Sequence, residues 1–152
     1  MVMDQARTYM REALQLAQKA ADDGEVPVGA VVVRGGEIIA EGRNQPRATG
    51  DPTAHAEIVA LRAAAAKLGQ EKLTDCDLWV TLEPCTMCAG AISHARIKRL
   101  YYGATDPKGG AVDSGVNFFA AATCHHAPEV YAGFGETESA ALLRDFFKNR
   151  RL

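Results

Sequence analysis

The chain has 152 residues, 47% of them hydrophobic and 24% charged, with a formal net charge of −2. That length fits one compact domain, read here as spanning 1–152, and the composition is too apolar for a disordered chain. The small net charge excludes a global nucleic-acid footprint, so any such binding must come from a local patch; the apolar runs, such as 28–33, are too short to span a bilayer.

Met10, Ala13, Leu14, Ala17 and Ala21 recur at helical spacing, which predicts an amphipathic helix over roughly 4–23, stopped at Asp22-Asp23-Gly24. Asp4, Arg7 and Arg11 leave no apolar signal core there, which sets the expectation of a cytoplasmic protein. "VPVGAVVV" is a β-branched run, hence a buried strand. Arg34-Gly35-Gly36-Glu37 reads as a hairpin turn into a second strand near 38–41, followed by a polar loop over 42–52. Thr53 reads as the N-cap of a helix carrying Ile58, Leu61, Ala65 and Leu68 and ending at Gly69. "DLWVTL" is a third strand, and Pro84 suits the first position of the next helix. "RLYYGA" is a fourth strand, 105–115 a loop, 117–121 a weakly signalled short helix and 129–131 a short fifth strand. Leu142, Leu143, Phe146 and Phe147 mark a closing helix from Glu136 with a basic end. Alternation of this kind predicts an α/β fold with a central sheet covered by helices on both faces.

Cys76, Cys85, Cys88 and Cys124 are the cysteines. Without a signal segment, and with a core large enough to need no staples, metal or redox chemistry is favoured over disulfides for Cys85-Thr86-Met87-Cys88. His55 in "TAHAEIVAL" joins the two cysteines as a set of three nitrogen and sulfur ligands, the number that leaves a catalytic zinc one open position. Cys85 and Cys88, three apart, share the first turn of a helix, where the helix N-terminus and a metal both lower thiol pKa. His55 and Glu57, two apart, can reach one point only if it lies off the end of their helix; Glu57 is then a proton carrier beside zinc-bound water. A redox CxxC and a non-catalytic zinc module are the competing readings. Cys76 and Cys124 are expected to be buried thiols, and His94, His125 and His126 to be capping, packing or surface residues.

H-x-E with P-C-x-x-C is the signature of the zinc nucleobase deaminases. On it the chain resembles the cytidine deaminase-like superfamily and, within it, the bacterial tRNA adenosine deaminases. The resemblance runs through "EVPVGAVVV", "GRNQP", "DPTAHAEIVALR", "LWVTLEPCTMCAGAI", "ARIKRLYYGATDPKGGA" and "SAALLRDFFKNRR". It implies a three-layer α-β-α sandwich around a mixed five-stranded sheet. It also implies one Zn2+ per subunit on His55, Cys85 and Cys88, with Glu57 as the catalytic proton shuttle. The reaction implied is hydrolytic deamination of adenosine to inosine at the wobble position of a tRNA anticodon stem-loop, of an arginine tRNA, by a homodimer with no membrane association. Asn44 is implied to bond the flipped-out base, Val28 and the backbone at Ala56 and Pro84 to line its pocket, and Asp106 to contact the ribose or backbone beside it. Lys108, Lys148, Arg150 and Arg151 are the candidate phosphate contacts. The stretch "AVDSGVNFFAAATCHHAPEV" departs from the family, with His125-His126 where Asn-His is usual. A zinc-dependent deaminase of a free base, guanine or cytosine, is the alternative with the same site chemistry; the "YGATDPKGGA" loop and the basic tail argue against it.

Overall fold

The structure, a computed structural model, describes residues 2–150, with side chains from residue 5 onward. In chain order the elements are α1 (Val2–Asp22), β1 (Gly29–Arg34), β2 (Glu37–Arg43), α2 (Pro46–Thr49), α3 (Ala56–Leu68), β3 (Cys76–Leu82), α4 (Thr86–Ala95), β4 (Arg99–Ala104), a 3-10 turn (Phe118–Ala120), β5 (Glu129–Tyr131) and α5 (Glu136–Arg150). Among the described residues the strands form one five-stranded mixed sheet of order β2-β1-β3-β4-β5. The β1–β2 and β1–β3 pairs are antiparallel, whereas β3–β4 and β4–β5 are parallel. The parallel pairs arise because α4 and the long connection after β4 each return the chain to the same end of the sheet.

Side-chain alternation divides the strands between two layers of helix. Ala30, Val32, Leu78, Val80, Leu100 and Tyr102 point to one face, where they pack with Ala56, Ala60 and Ala64 of α3 and Ile92 of α4. Val31, Val33 and Trp79 point to the other, against Met10, Ala13 and Leu16 of α1. On that second face Trp79 stacks on Tyr101 at 3.9 Å between ring centroids, with Phe134 edge-on to both. This is the expected three-layer sandwich. No helix among the described residues is long and apolar enough to cross a membrane.

Several local expectations are corrected. Thr53 does not cap α3. Its backbone N–H and hydroxyl both donate to Asp51 Oδ1, at 2.9 and 2.7 Å, and His55 is the N-cap. Pro84 does not open α4; Cys85 is the N-cap, so the proline sits one residue outside. The polar loop after β2 contains a short helix, Pro46–Thr49, whose Arg47 and Ala48 amides donate to the buried Glu25 carboxylate.

Gly42 in β2 fixes where α3 begins. A Cβ placed there would stand 2.3 Å from Ala56 O and 2.6 Å from Ala60 N, so the helix backbone lies directly on the strand. Gly42→Ala is expected to lower unfolding free energy by about 1–3 kcal/mol through overpacking and to weaken metal retention with it. Denaturant unfolding and metal analysis read both, and an unchanged midpoint would contradict the close approach.

Candidate active site

Two helix starts on the same face of the sheet converge. His55 ends the extended segment before α3 with φ −72° and ψ 154°, and Cys85 does the same before α4 with φ −76° and ψ 177°. Caps in that conformation aim their side chains past the helix end, and Cys88 follows one turn in. His55 Nδ1 lies 3.6 Å from Cys85 Sγ and 3.5 Å from Cys88 Sγ. Among the described residues these three ligand atoms all fall within 4.8 Å of one another.

The dimensions test whether zinc fits. Zn–S of about 2.3 Å and Zn–N of about 2.0–2.1 Å at a tetrahedral angle give a nitrogen–sulfur edge of roughly 3.6 Å. The two observed edges match it, and the donor set is the soft one that zinc selects. Three ligands leave one tetrahedral position for a water or substrate.

Thiol chemistry agrees. The Cys88 thiol donates to Cys85, and that bond is the largest cause holding the Cys85 thiol down at about 5; His55 adds to it, while burial opposes. Cys88 is driven far upward by the same bond and then by burial. Holding a cation through both sulfurs would require both thiols to lose their protons. Glu57 is 4% exposed, in the first turn of α3. Burial is the main cause that pushes this carboxyl up to about 7, with the neighbouring Cys85 thiolate adding to the rise. A buried carboxyl beside the metal ligands is a candidate proton carrier.

The residues implied as base contacts form a chain of hydrogen bonds beside the metal ligands. Val28 O accepts from Asn44 N at 3.1 Å, and Asn44 Oδ1 accepts from Ala56 N at 2.8 Å. Pro84 is fully buried, and its carbonyl accepts from Ala111 N at 2.9 Å. Asp106 Oδ1 is engaged within its own turn by the amides of Lys108 and Gly109, at 3.2 and 3.0 Å. Lys108 is exposed on that turn, and Lys148 is exposed at the end of α5. Arg150 stacks on Phe146, 4.6 Å from the ring centroid, and Arg151 lies outside the described residues.

Two residues with a place in this arrangement escaped the sequence reading. Arg47 donates to Gly24 O at 3.2 Å; a Cβ on Gly24 would stand 4.0 Å from its Nη1 and 3.5 Å from Arg150 Nη2. The fold thus brings two guanidinium groups to one turn, and no local signal pairs positions so far apart in sequence. The other is Glu83, whose carboxylate gathers the backbone of the loop after β4. Its place in "LEPC" beside a metal-ligand motif was the available signal. Cys124 is half-buried rather than buried: its thiol donates to His126 O at 3.1 Å, and His126 Nε2 donates to Ile97 O at 2.8 Å. His125 is exposed.

A nitrogen–sulfur triangle sized for zinc, open on one side and backed by a buried carboxyl, defines a zinc-dependent hydrolytic centre on an α-β-α sandwich. Residues 3–104 match the family profile for the cytidine and deoxycytidylate deaminase zinc-binding region. The tRNA-specific adenosine deaminase of Agrobacterium fabrum is 60% identical over 144 residues, covering 95% of each chain. A solved structure from a study of A-to-I editing by tRNA:A34 deaminases at the wobble position of transfer RNA superposes with TM-score 0.89 at 60% identity, over 90% of this chain and 99% of that one. Guanine deaminase from Bacillus subtilis superposes with TM-score 0.63 at 46% identity, over 64% of this chain and 63% of its own. The chain belongs to the zinc-binding cytidine and deoxycytidylate deaminase family and, within it, to the tRNA-specific adenosine deaminases.

Once the metal is chelated, alkylation at about pH 7 is expected to label Cys85 first, because its thiol is already ionised above about 5. Cys76, fully buried and pushed up to about 11, is expected to stay unlabelled until the chain unfolds. Peptide mapping over time reads the order, and equal rates at the two sites would contradict the assigned environments.

Proposed function

We propose that this chain, acting as one deaminase unit over 1–152, converts adenosine to inosine at the wobble position of a tRNA anticodon. The observation that carries the reading is the His55–Cys85–Cys88 triangle with Glu57 buried against it, in a chain 60% identical to a tRNA-specific adenosine deaminase along nearly its whole length. Bound by His55, Cys85 and Cys88, zinc would supply the Lewis acidity that makes a water nucleophilic near neutral pH. Glu57 takes a proton from the attacking water and delivers it to the purine ring nitrogen; it then takes the second proton from the new C6 hydroxyl and passes it to the amine, so that C6=O forms as the C–N bond breaks and ammonia departs.

Asn44 is assigned the base edge, since its Oδ1 already holds the start of α3 and its amide N–H2 remains the chemically suitable donor. Val28 and the backbone at Ala56 and Pro84 line the pocket, and Asp106 contacts the ribose or backbone beside the base. Lys108, Lys148, Arg150 and Arg151 are assigned to phosphates, joined by Arg47 because it shares the Gly24 turn with Arg150. An unpaired anticodon loop suits this chemistry, because extruding a base from it costs little stacking. An arginine tRNA as substrate, a homodimer and a cytoplasmic location complete the proposal on the family resemblance.

With an arginine-tRNA anticodon stem-loop, the zinc-loaded protein is expected to form inosine while leaving guanine, cytosine and cytidine unchanged. Glu57→Ala should retain zinc and lose about 10²–10⁴-fold or more in rate. Turnover of a free base with inert RNA would overturn the reading. RNA affinity is expected to fall with salt along a shallow slope, reflecting few phosphate contacts; a salt-independent affinity in a titration would remove the assigned patch.

A further inference from the structure

The loop between β4 and the 3-10 turn carries Asp106 and Lys108, yet residues 105–109 are mostly exposed and have little core of their own. A neighbouring carboxylate gives the loop its shape. Glu83 is 2% exposed and follows β3 directly, two residues before Cys85. Its Oε1 accepts from Asp106 N and from Ser114 Oγ, each at 2.9 Å. Its Oε2 accepts from the amides of Val112, Asp113 and Ser114, at 3.1, 2.9 and 2.9 Å. Both ends of the loop are thereby pulled onto one side chain. The seat is close-fitting: a Cβ on Gly110 would stand 2.4 Å from the Glu83 carboxyl carbon. A second tie reinforces it, since the Tyr102 hydroxyl in β4 donates to Asp113 Oδ2.

We propose that Glu83 is a positioning residue that moors the 106–114 loop to the strand end leading into Cys85, so that Asp106 and Lys108 are held in register with the reacting base. Glu83 itself touches no substrate in this scheme. It acts on RNA engagement through the loop, while proton transfer stays with Glu57. The inference deepens the proposed wobble-adenosine activity and rests on that reading.

The chemistry of the seat dictates the variant. Five donors converge on two acceptor oxygens. Glu83→Gln keeps the shape but replaces one oxygen with an N–H2 group, which accepts from none of the backbone amides it faces; only the Ser114 hydroxyl can turn to accept from it. Unmade bonds to a buried carboxylate of this kind cost roughly tenfold to a hundredfold in an equilibrium.

Amide hydrogen exchange, zinc content and steady-state kinetics on the anticodon stem-loop test the proposal together. In Glu83→Gln, the amides of Asp106, Val112, Asp113 and Ser114 should exchange about tenfold or more faster. The amides of α3 should be unchanged, and zinc should remain at the wild-type ratio. KM for the stem-loop should rise about tenfold or more, with kcat reduced by less than KM is raised. Tyr102→Phe and Ser114→Ala remove single ties and should move KM the same way by less; they carry the test if Glu83→Gln fails to fold. Faster loop exchange with an unchanged KM would overturn the positioning role, as would a loss confined to kcat or a loss of zinc. A wild-type chain inert on the stem-loop would instead sink the proposed activity, and the RNA role of the loop with it. The exchange experiment would still decide whether Glu83 holds the loop.

Discussion

Everything at the site depends on two helices beginning at the right places on one face of the sheet. The start of α3 is set by a backbone contact, Gly42 lying under Ala56 and Ala60, and by Asn44 Oδ1 receiving the Ala56 amide. The start of α4 is set by β3, which delivers Glu83, Pro84 and Cys85 in sequence at its end. A helix start is a ring of amides without internal partners, and two such rings facing one point make a region favourable to anionic ligands. The Cys85 and Cys88 sulfurs and the Glu57 carboxyl occupy it here. A shift of α3 along β2 would carry His55 and Glu57 away from the cysteines and turn Ala56, Ala60 and Ala64 off the sheet. The glycine therefore governs both the register of the site and the packing of the fold.

Buried carboxylates then divide the labour by how many donors each receives. Glu83 is enclosed, but its hydrogen bonds from backbone amides and Ser114 outweigh burial and hold its carboxyl below the ordinary range. It stays ionised and works as a structural tie. Glu57 is comparably enclosed yet has far fewer donors and a thiolate nearby, so burial dominates and its carboxyl rises. The same side chain in two surroundings is held ionised in one place and pushed toward its neutral form in the other. Glu25 repeats the anchoring role at α2, where it gathers the amides of Arg47 and Ala48.

Much of the fold was legible because β-branched runs and helical periodicity are local signals. The "RLYYGA" strand, the short strand at Glu129–Tyr131 and the closing helix from Glu136 all stand where periodicity puts them. The errors are at boundaries. Thr53 and Pro84 look like good helix-starting residues by type, but Asp51 captures the Thr53 hydroxyl, and the helix after Pro84 waits for Cys85. Capping is decided by which acceptor is nearer in space, which residue type alone does not record.

The sequence by itself determined the chemistry: a His-x-Glu and a Pro-Cys-x-x-Cys. Those residue types restrict the metal, the ligand number and the proton carrier regardless of how the chain is routed, because they are properties of donor atoms. Tertiary structure alone decided that His55 Nδ1 stands about one tetrahedral edge from both sulfurs, and that Arg47 shares a turn with Arg150. It also decided that Glu83 collects amides from a loop more than twenty residues away. These are relations between segments distant along the chain, and hydrogen bonds between such segments leave no periodicity in the sequence from which they could be read.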